Sequence, residues 1–146
     1  MIDNRKIKIL VVGGAGFIGS HMVKMLLDNN YSVTTFDNLS TGYRDAIIGG
    51  DFIEGDLADN QKLSEVFTDY SFNCVMHFAS SIEVGESIHN PKKYYENNLV
   101  NTINLLNQLV KSGTEHFIFS STAAVYGNPN HLPIDEDHMK NPINPY

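Results

Sequence analysis

A glycine-rich turn near the start of the chain constrains the fold more than any other feature. Residues 14–19 read GAGFIG, which has the spacing G-x-G-x-x-G, and Gly13 stands directly in front. The turn follows the apolar run KIKILVVGG and precedes GFIGSHMVKMLLDNN, whose apolar residues recur at helical spacing. Glycines in this context allow a tight turn, close approach of a pyrophosphate to the backbone, and close packing of helix on strand. The pattern predicts a strand–turn–helix unit that binds a dinucleotide.

An acidic residue stands where such a unit would hold the adenosine ribose. Asp37 ends the second predicted strand, YSVTTFD, eighteen positions after Gly19. A carboxylate in this place can accept hydrogen bonds from both ribose hydroxyls and would repel a 2′-phosphate. The expected cofactor is therefore NAD rather than NADP, although Arg44 is near enough in sequence to serve a 2′-phosphate.

The rest of the chain continues the alternation of strand and helix. Further strands are predicted at DFIEGDL, NCVMHFAS and HFIFSS, a helix capped by Asp59 or Asn60 at KLSEVFTDY, and a long helix from Pro91 to Gly113. Loop is expected around Glu83 and Glu86, after Gly127, where prolines recur, and between the second and third strands, where a short helical turn fits. This order predicts an α/β fold, a doubly wound parallel sheet of Rossmann type with helices on both faces.

Composition narrows the class of partner. The 146 residues are 42% hydrophobic and carry a formal charge of −7, which fits one ordinary domain and argues against nucleic acid or an anionic membrane as a partner. The single cysteine, Cys74, is expected to be a buried structural thiol. The histidines lack metal-ligand spacing, so no metal site is expected, and His77 is expected to be a core residue with its polar atoms satisfied.

The N-terminus carries a weak targeting signal. Arg5, Lys6 and Lys8 lie near a short apolar stretch, as in a signal peptide, but glycines interrupt that stretch after ILVV. No membrane-length apolar segment follows, so a cytoplasmic protein is expected.

Several segments together resemble one family. VGGAGFIGSH, FDNLSTG, EGDL, HFAS, VGES, PKKYYENN and FIFSSTAAVYG are similar to the extended short-chain dehydrogenase/reductases, and within them to the UDP-glucose 4-epimerases. The resemblance runs from about Lys6 to Tyr146. It implies an NAD-dependent isomerase that interconverts UDP-glucose and UDP-galactose through a 4-keto sugar.

The resemblance also implies roles for individual residues. Tyr146 matches the base of the family's Y-x-x-x-K motif, and Thr122 matches a residue that hydrogen-bonds the sugar hydroxyl. Asp56 and Leu57 match a pair that contacts adenine, and Asn98 matches an asparagine that supports the cofactor site. The full set of expected cofactor-binding residues is Gly13, Gly16, Phe17, Ile18, Gly19, Asp37, Asn38, Asp56, Leu57, Ala79, Ser80 and Asn98.

Two expectations follow from comparing the chain with that family. Residues 1–146 correspond to the dinucleotide-binding domain, and the motif lysine and the substrate domain are absent, so the isolated chain is expected to be nearly inactive. The long helix is apolar on more than one face, and the fifth strand would be an exposed edge, so a homo-oligomer is expected.

Alternative functions stay open. A UDP-pentose or N-acetylhexosamine epimerase would share these motifs, as would a nucleotide-sugar dehydratase, although Ala123-Ala124 stands where dehydratases carry an acidic pair. A glycosidase using Glu83 and Glu86 would leave the glycine turn unexplained. A non-catalytic nucleotide-binding remnant is the alternative from a different functional class.

Overall fold

The computed structural model describes residues 7–146, so the predicted start of the first strand at Lys6 lies outside the described residues. A parallel sheet of five strands has the order β3-β2-β1-β4-β5. The strands are β1 (Lys8–Val12), β2 (Ser32–Asp37), β3 (Asp51–Glu54), β4 (Cys74–His77) and β5 (His116–Phe119). The predicted doubly wound parallel sheet is confirmed, with β5 at one edge.

Five α-helices connect these strands in the described part of the chain: α1 (Phe17–Asp28), α2 (Asn60–Asp69), α3 (Val84–His89), α4 (Pro91–Tyr94) and α5 (Asn101–Ser112). A π-helical turn, Tyr95–Val100, joins α4 to α5, so the long helix predicted from Pro91 is confirmed with a widened turn inside it. Short 3-10 turns occupy Arg44–Ala46 and Ala123–Tyr126. Helix α3 was predicted as loop, and that prediction was wrong for Glu86.

The ends of the helices follow from local side-chain chemistry. The Asp59 carboxylate accepts the Lys62 backbone N–H at 2.9 Å, which confirms it as the cap of α2. Asn90 caps α4, and Pro91 occupies its first turn, where the missing N–H costs nothing. Gly113 ends α5 with φ +71°, a left-handed conformation that glycine adopts without strain.

The sheet is apolar on both faces, which explains why β1 has no polar alternation. Leu10 and Val12 face a core formed with α2 and α5, whereas Ile9 and Val11 face a core formed with α1. All four side chains are 4% exposed or less. Alternate residues of one strand thus serve both layers of the fold.

Helix α5 presents two apolar faces with opposite surroundings. Leu105 and Leu109 are buried against the sheet. The other face continues into the π-helical turn and forms an exposed stripe made of Leu99, Val100, Ile103, Leu106 and Val110. The expectation that this helix covers the sheet with one face and leaves another apolar face outside is confirmed.

The last three strands are shorter than predicted. Strands were predicted over residues 51–57, 73–80 and 116–121, and in the structure they end at Glu54, His77 and Phe119. The polar and small residues that follow β3 and β4 turn away from the ladder toward a cleft, where they lie beside one another. Their apolar neighbours made them resemble strand in the sequence.

Other features of the described chain concern metals, membranes and the cysteine. Residues 7–146 contain no group of three or more His, Cys, Asp or Glu placed to hold a metal ion. Within the same residues, no helix combines the length and the apolarity needed to cross a bilayer. Cys74 is partly buried, and this burial raises the pKa of its thiol, which lowers its reactivity.

Candidate functional site

A cleft of about 410 Å³ opens at the carboxyl ends of the parallel strands. Residues following β1, β2, β3 and β4 line it, so it lies where the strand order reverses between β1 and β4. This is the position at which doubly wound sheets bind their ligands. Of the residues predicted to bind the cofactor, those that line the cleft are Gly13, Gly16, Asp37, Asn38, Asp56, Leu57, Ala79 and Ser80.

The glycine turn forms a wall of the cleft made of bare backbone. Gly13 has φ +79°, and a Cβ placed on it would lie 2.6 Å from the Ala79 nitrogen, so β1 and β4 approach too closely for a side chain. A Cβ on Gly19 would overlap the Gly13 carbonyl oxygen, and this lets α1 pack directly on the turn. Gly16 precedes α1 without a side-chain cap, so the first N–H groups of that helix have no side-chain acceptor there. The cradle fits a phosphate group.

Phe17 and Ile18 do not contribute side chains to this cleft. They lie at the start of α1, are 83% and 59% exposed, and are not among the lining residues. Any contact with a dinucleotide would therefore use their backbone N–H groups, as helix N-termini do. Their role as cofactor-binding residues remains a prediction.

Asp37 is held by backbone N–H groups from the loops that follow β1 and β2. Its Oδ2 accepts the Ala15 N–H at 2.9 Å and its Oδ1 accepts the Leu39 N–H at 2.8 Å. The side chain is buried but lines the cleft. A carboxylate has about four acceptor positions, so two remain for hydroxyl groups after these bonds are made.

A second pair of polar residues joins the loops that follow β2 and β3. The Asn38 amide donates to Asp56 Oδ2 at 2.7 Å, and Asp56 Oδ1 accepts the Ala58 N–H at 2.8 Å. The Leu57 carbonyl accepts from the Asn104 side chain at 3.2 Å, so α5 also holds this loop. The backbone at positions 56 and 57 is thereby presented to the cleft.

The loop after β4 is held by Asn98, but Asn98 is not a lining residue. Its amide accepts the Ser81 N–H at 2.8 Å and donates to the Ser81 carbonyl at 2.9 Å. Asn97 lines the cleft instead and donates to Asn98 at 2.9 Å. Asn98 thus holds the loop after β4, and its support of a cofactor site remains a prediction, while the neighbouring Asn97, absent from the predicted set, faces the cleft. The π-helical turn sets which asparagine points inward, and the sequence pattern did not predict that turn.

The far wall of the cleft was missed by sequence analysis. Glu83, Glu86 and Lys93 line it, and Lys93 Nζ lies 2.9 and 2.8 Å from the two carboxylate oxygens of Glu86. Hydrogen bonds from Lys93 and Tyr94 lower the pKa of Glu86. The signal that could have revealed this wall is the Glu86–Lys93 spacing across the Asn90-Pro91 helix start.

Tyr94 connects this wall to the end of the chain. It is 1% exposed, and its hydroxyl donates to Glu86 Oε2 at 2.8 Å. Burial, and then the hydrogen bond to the negative Glu86, raise the pKa of Tyr94 to about 12, so it is a donor at physiological pH. The Tyr146 ring packs edge-on against Tyr94 with centroids 6.5 Å apart. Tyr146 therefore contacts Tyr94, which is hydrogen-bonded to Glu86 of the cleft wall, but Tyr146 itself does not line the cleft.

Thr122 also lies outside the lining residues. Its Oγ1 accepts the Ala124 N–H at 3.1 Å and caps the 3-10 turn that follows β5. The hydroxyl hydrogen is still able to donate to another group. The catalytic roles of Thr122 and Tyr146 remain predictions.

His77 is less satisfied than expected. It is 1% exposed, with Nε2 3.0 Å from the Thr102 hydroxyl, but its buried Nδ1 has no hydrogen-bond partner among the described residues. Burial lowers the pKa of His77 to about 4, so the ring is neutral at physiological pH. The prediction of a buried core histidine is correct, and the prediction that both ring nitrogens are satisfied was wrong.

Arg44 packs on an aromatic ring and does not line the cleft. Its guanidinium sits 3.9 Å from the centroid of the Phe52 ring, and it is not a lining residue of the cleft. In this arrangement it makes a cation–π contact. The residue that could have served a 2′-phosphate is engaged elsewhere.

Known proteins are similar to this chain in sequence and in fold. The family model "NAD dependent epimerase/dehydratase family" matches residues 9–146. UDP-glucose 4-epimerase of Rhizobium meliloti is 45% identical over 138 residues, which are 94% of this chain and 42% of the relative. The structure of UDP-glucose 4-epimerase from Brucella ovis in complex with NAD superposes with TM-score 0.93 at 49% identity, covering 96% of this chain and 43% of that one.

A third relative is named for two sugars. The UDP-Glc/GlcNAc 4-epimerase from Campylobacter jejuni superposes with TM-score 0.93 at 45% identity, over 96% of this chain and 44% of its own. The chain thus spans a little over two-fifths of the length of these relatives. Because the family model covers nearly all of its residues, the chain belongs to the NAD dependent epimerase/dehydratase family.

Proposed function

We propose that this chain is the NAD-binding part of a UDP-glucose 4-epimerase, which interconverts UDP-glucose and UDP-galactose. The observation that carries the proposal is the placement of the bare glycine cradle and the Asp37 carboxylate in one cleft. The similarity to UDP-glucose 4-epimerases over nearly the whole chain supports it.

The cleft residues fit NAD group by group. The cofactor's diphosphate would rest against the backbone at Gly13, Gly16 and the start of α1, and Asp37 would accept hydrogen bonds from the adenosine ribose. A 2′-phosphate would meet the Asp37 carboxylate without a compensating arginine, since Arg44 packs on Phe52. When bound, NAD supplies an acceptor for the hydride at C4 of the sugar and returns it.

The proposed catalytic residues handle the proton. The Tyr146 phenolate would take the proton of the C4 hydroxyl as that carbon is oxidised, and would return it when the carbon is reduced. Thr122 would donate a hydrogen bond to the sugar, because its oxygen already accepts from Ala124 while its O–H remains able to donate. UDP-sugar is the proposed substrate.

We propose that residues 1–146 form the dinucleotide-binding domain of such an enzyme, acting in the cytoplasm in galactose metabolism. The chain covers 42% of the Rhizobium relative, so most sugar contacts of an enzyme of that length would come from other residues. This chain alone is then expected to bind NAD but to turn over UDP-galactose poorly.

The exposed stripe supports association with a second copy of the chain. Its members include Ile103 and Leu106, at 45% and 37% exposure, and the edge strand β5 adds Ile118 and Phe119 at 49% and 50%. Apolar surface that is contiguous and exposed is typical of an interface. Sedimentation of the chain at tens of micromolar is expected to show a dimer that Ile103→Glu dissociates. A wild-type monomer would contradict this part of the proposal.

The central test separates binding from conversion. Calorimetric titration of the nucleotide-free 146-residue chain with NAD should show saturable binding and weaker binding of NADP. A coupled assay then compares UDP-galactose with UDP-N-acetylgalactosamine, the second candidate class because the Campylobacter relative is named for both sugars. Absence of NAD binding would overturn the proposal. High turnover of UDP-galactose by the 146-residue chain would contradict the proposal that this chain binds NAD but is a poor catalyst by itself.

A further inference from the structure

The charges that line the cleft are unbalanced. Among the lining residues that the structure describes, four are carboxylates and one is a lysine: Asp37, Asp56, Glu83, Glu86 and Lys93. A dinucleotide diphosphate would add further negative charge to the same space. The helix N-terminus offers only about half a unit of positive charge, so a diphosphate in this cleft gains from a mobile cation.

Lys93 is placed and held as such a cation. It pairs with Glu86 at 2.8 Å, and both side chains are partly exposed, at 47% and 39%. Glu86 would not be left without a donor if Lys93 moved, because the buried Tyr94 hydroxyl also donates to it at 2.8 Å. A flexible lysine stem can reorient between two nearby anions, and an exposed ion pair is only weakly stabilising.

We infer that Lys93 exchanges partners, pairing with Glu86 before a dinucleotide binds and with the diphosphate once it has bound. This inference rests on the proposed binding of NAD and assigns the site a residue for recognising the diphosphate. Tyr94 keeps Glu86 in place during the exchange. Glu86 therefore competes with the ligand for the same ammonium group.

The adjacent lysine provides a matched control. Lys92 is one residue away on α4, but its side chain is 81% exposed, and it pairs with Glu96 at 3.6 Å outside the cleft. Lys93→Gln is expected to weaken NAD binding about tenfold, as for loss of a charge-assisted hydrogen bond, whereas Lys92→Gln should change it less than about twofold. Adenosine, which lacks the diphosphate, should bind both variants and the wild type equally.

The Glu86→Gln variant separates partner exchange from a structural role. If Lys93 exchanges partners, Glu86→Gln releases the lysine and removes a negative charge, so NAD should bind more tightly. If Lys93 only holds Glu86 in position, Lys93→Gln and Glu86→Gln should both weaken NAD binding. That second result would overturn the inference.

Three further readings complete the experiment. Lys93→Arg should restore most of the NAD affinity, and urea unfolding should confirm that each variant folds. The difference between wild type and Lys93→Gln should shrink from 0.1 M to 1 M salt, as the Debye length falls from about 10 Å to about 3 Å. If the wild type binds NAD and Lys93→Gln binds it with the same affinity, this inference alone is overturned. If the wild type does not bind NAD, the proposed function is overturned as well.

Discussion

The glycine-loop region (residues 8–57) and the C-terminal segment (residues 120–146) are held in the fold by different means. In the first, hydrogen bonds from backbone N–H groups hold the loops: the Gly13 N–H donates to the Phe36 carbonyl at 2.8 Å, and the buried Asp37 carboxylate accepts from two N–H groups. In the second, no strand or α-helix forms, and most residues are exposed. Its attachments to the rest of the fold include the Ser120 N–H donating to the His77 carbonyl at 3.1 Å and the edge contact of Tyr146 with Tyr94.

This difference separates what the two regions contribute. The proposed cofactor cradle is part of the packing between β1, β4 and α1, so it forms whenever the sheet forms. The proposed catalytic residues Thr122 and Tyr146 stand on a segment that the sheet does not need for its own core. Binding is therefore expected to be robust in this chain, and positioning of the catalytic groups is expected to depend on further contacts.

The largest predicted effect comes from adding one methyl group to each region. A Cβ added at Gly19 would overlap the Gly13 carbonyl, and a Cβ added at Gly127 would overlap the Asn141 carbonyl. Gly19→Ala should lower the free energy of unfolding by about 3 kcal/mol or more, because α1 must move off β1. Gly127→Ala should leave the main urea transition within about 1 kcal/mol, because the strain can be released by local opening of the C-terminal segment.

Gly85 supplies the control for both substitutions. It lies in α3 with nothing within 4 Å of an added Cβ, so Gly85→Ala should be neutral or slightly stabilising. Far-UV circular dichroism follows the urea transitions, and limited proteolysis reports opening of residues 120–146. Equal loss of global stability in Gly19→Ala and Gly127→Ala would show that the two regions fold as one unit.

The second prediction concerns pH and compares His77, at the end of β4 in the sheet, with His131 in the C-terminal segment. His77 has a folded pKa of about 4 against an ordinary 6.5, so the unfolded chain binds its proton first as pH falls. The stability it contributes is complete above about pH 6.5 and is lost down to about pH 4, by about 3 kcal/mol in all. His77→Gln should flatten the dependence of unfolding free energy on pH over that window.

His131 is the matched control in the C-terminal segment. Its side chain is 56% exposed beside Asp135, so His131→Gln measures the effect of replacing a surface imidazole by an amide. Urea titrations at several pH values between 4 and 7.5 give both profiles. A His77→Gln profile parallel to that of the wild type would mean that the buried imidazole is not the main source of the acid sensitivity.

The sequence predicted the first region better than the second, for a physical reason. The glycine spacing, the uniformly apolar β1 and the acid at the end of β2 are local patterns in the sequence. The glycine spacing corresponds to the close contacts at Gly13 and Gly19, and the acid corresponds to Asp37, which lines the cleft. The far wall of the cleft depends on non-local geometry. The short helix α3 and the π-helical turn decide that Glu86 and Asn97 face inward, and neither has a local signature as strong as a glycine turn.

Burial and hydrogen bonding were also harder to predict than element type. The apolar surroundings of His77 correctly indicated a core position, but they could not reveal that Nδ1 lacks a partner. For Thr122, the contact with Ala124 is local, so capping could be predicted from the sequence. The SSTAAVYG motif alone does not distinguish capping from catalysis. Local chemistry therefore predicts where a side chain lies more reliably than what else it contacts.

The third prediction tests the division of roles through ligand affinity. Asp37→Asn removes the charge and at least one acceptor from a carboxylate that lines the cleft, so NAD affinity should fall about 30-fold, or about 2 kcal/mol. The preference for NAD over NADP should narrow, because repulsion of a 2′-phosphate is lost. Tyr146→Phe should change NAD affinity less than about twofold, because Tyr146 is not a lining residue. Calorimetry measures both, and an equal loss in the two variants would contradict the separation of the regions.

The smallest predicted effect lies at Tyr94, which contacts Glu86 of the cleft wall and Tyr146 of the C-terminal segment. Tyr94→Phe keeps the ring that contacts Tyr146 but removes the hydroxyl that donates to Glu86 at 2.8 Å. The free energy of unfolding should fall by about 1 kcal/mol, since Lys93 still pairs with Glu86. Because the pKa of Tyr94 is about 12, this loss should be constant between about pH 6 and pH 9.

The neighbouring Tyr95 is the control for that substitution. It is 54% exposed, so Tyr95→Phe should leave the urea midpoint unchanged. Limited proteolysis of the Tyr94→Phe chain should release residues 120–146 no faster than in wild type, because the ring contact between Tyr94 and Tyr146 survives. Faster release in Tyr94→Phe would mean that the Glu86 hydrogen bond, rather than ring packing, docks the C-terminal segment, and the attachment of Tyr146 to the cleft wall would then be polar in origin.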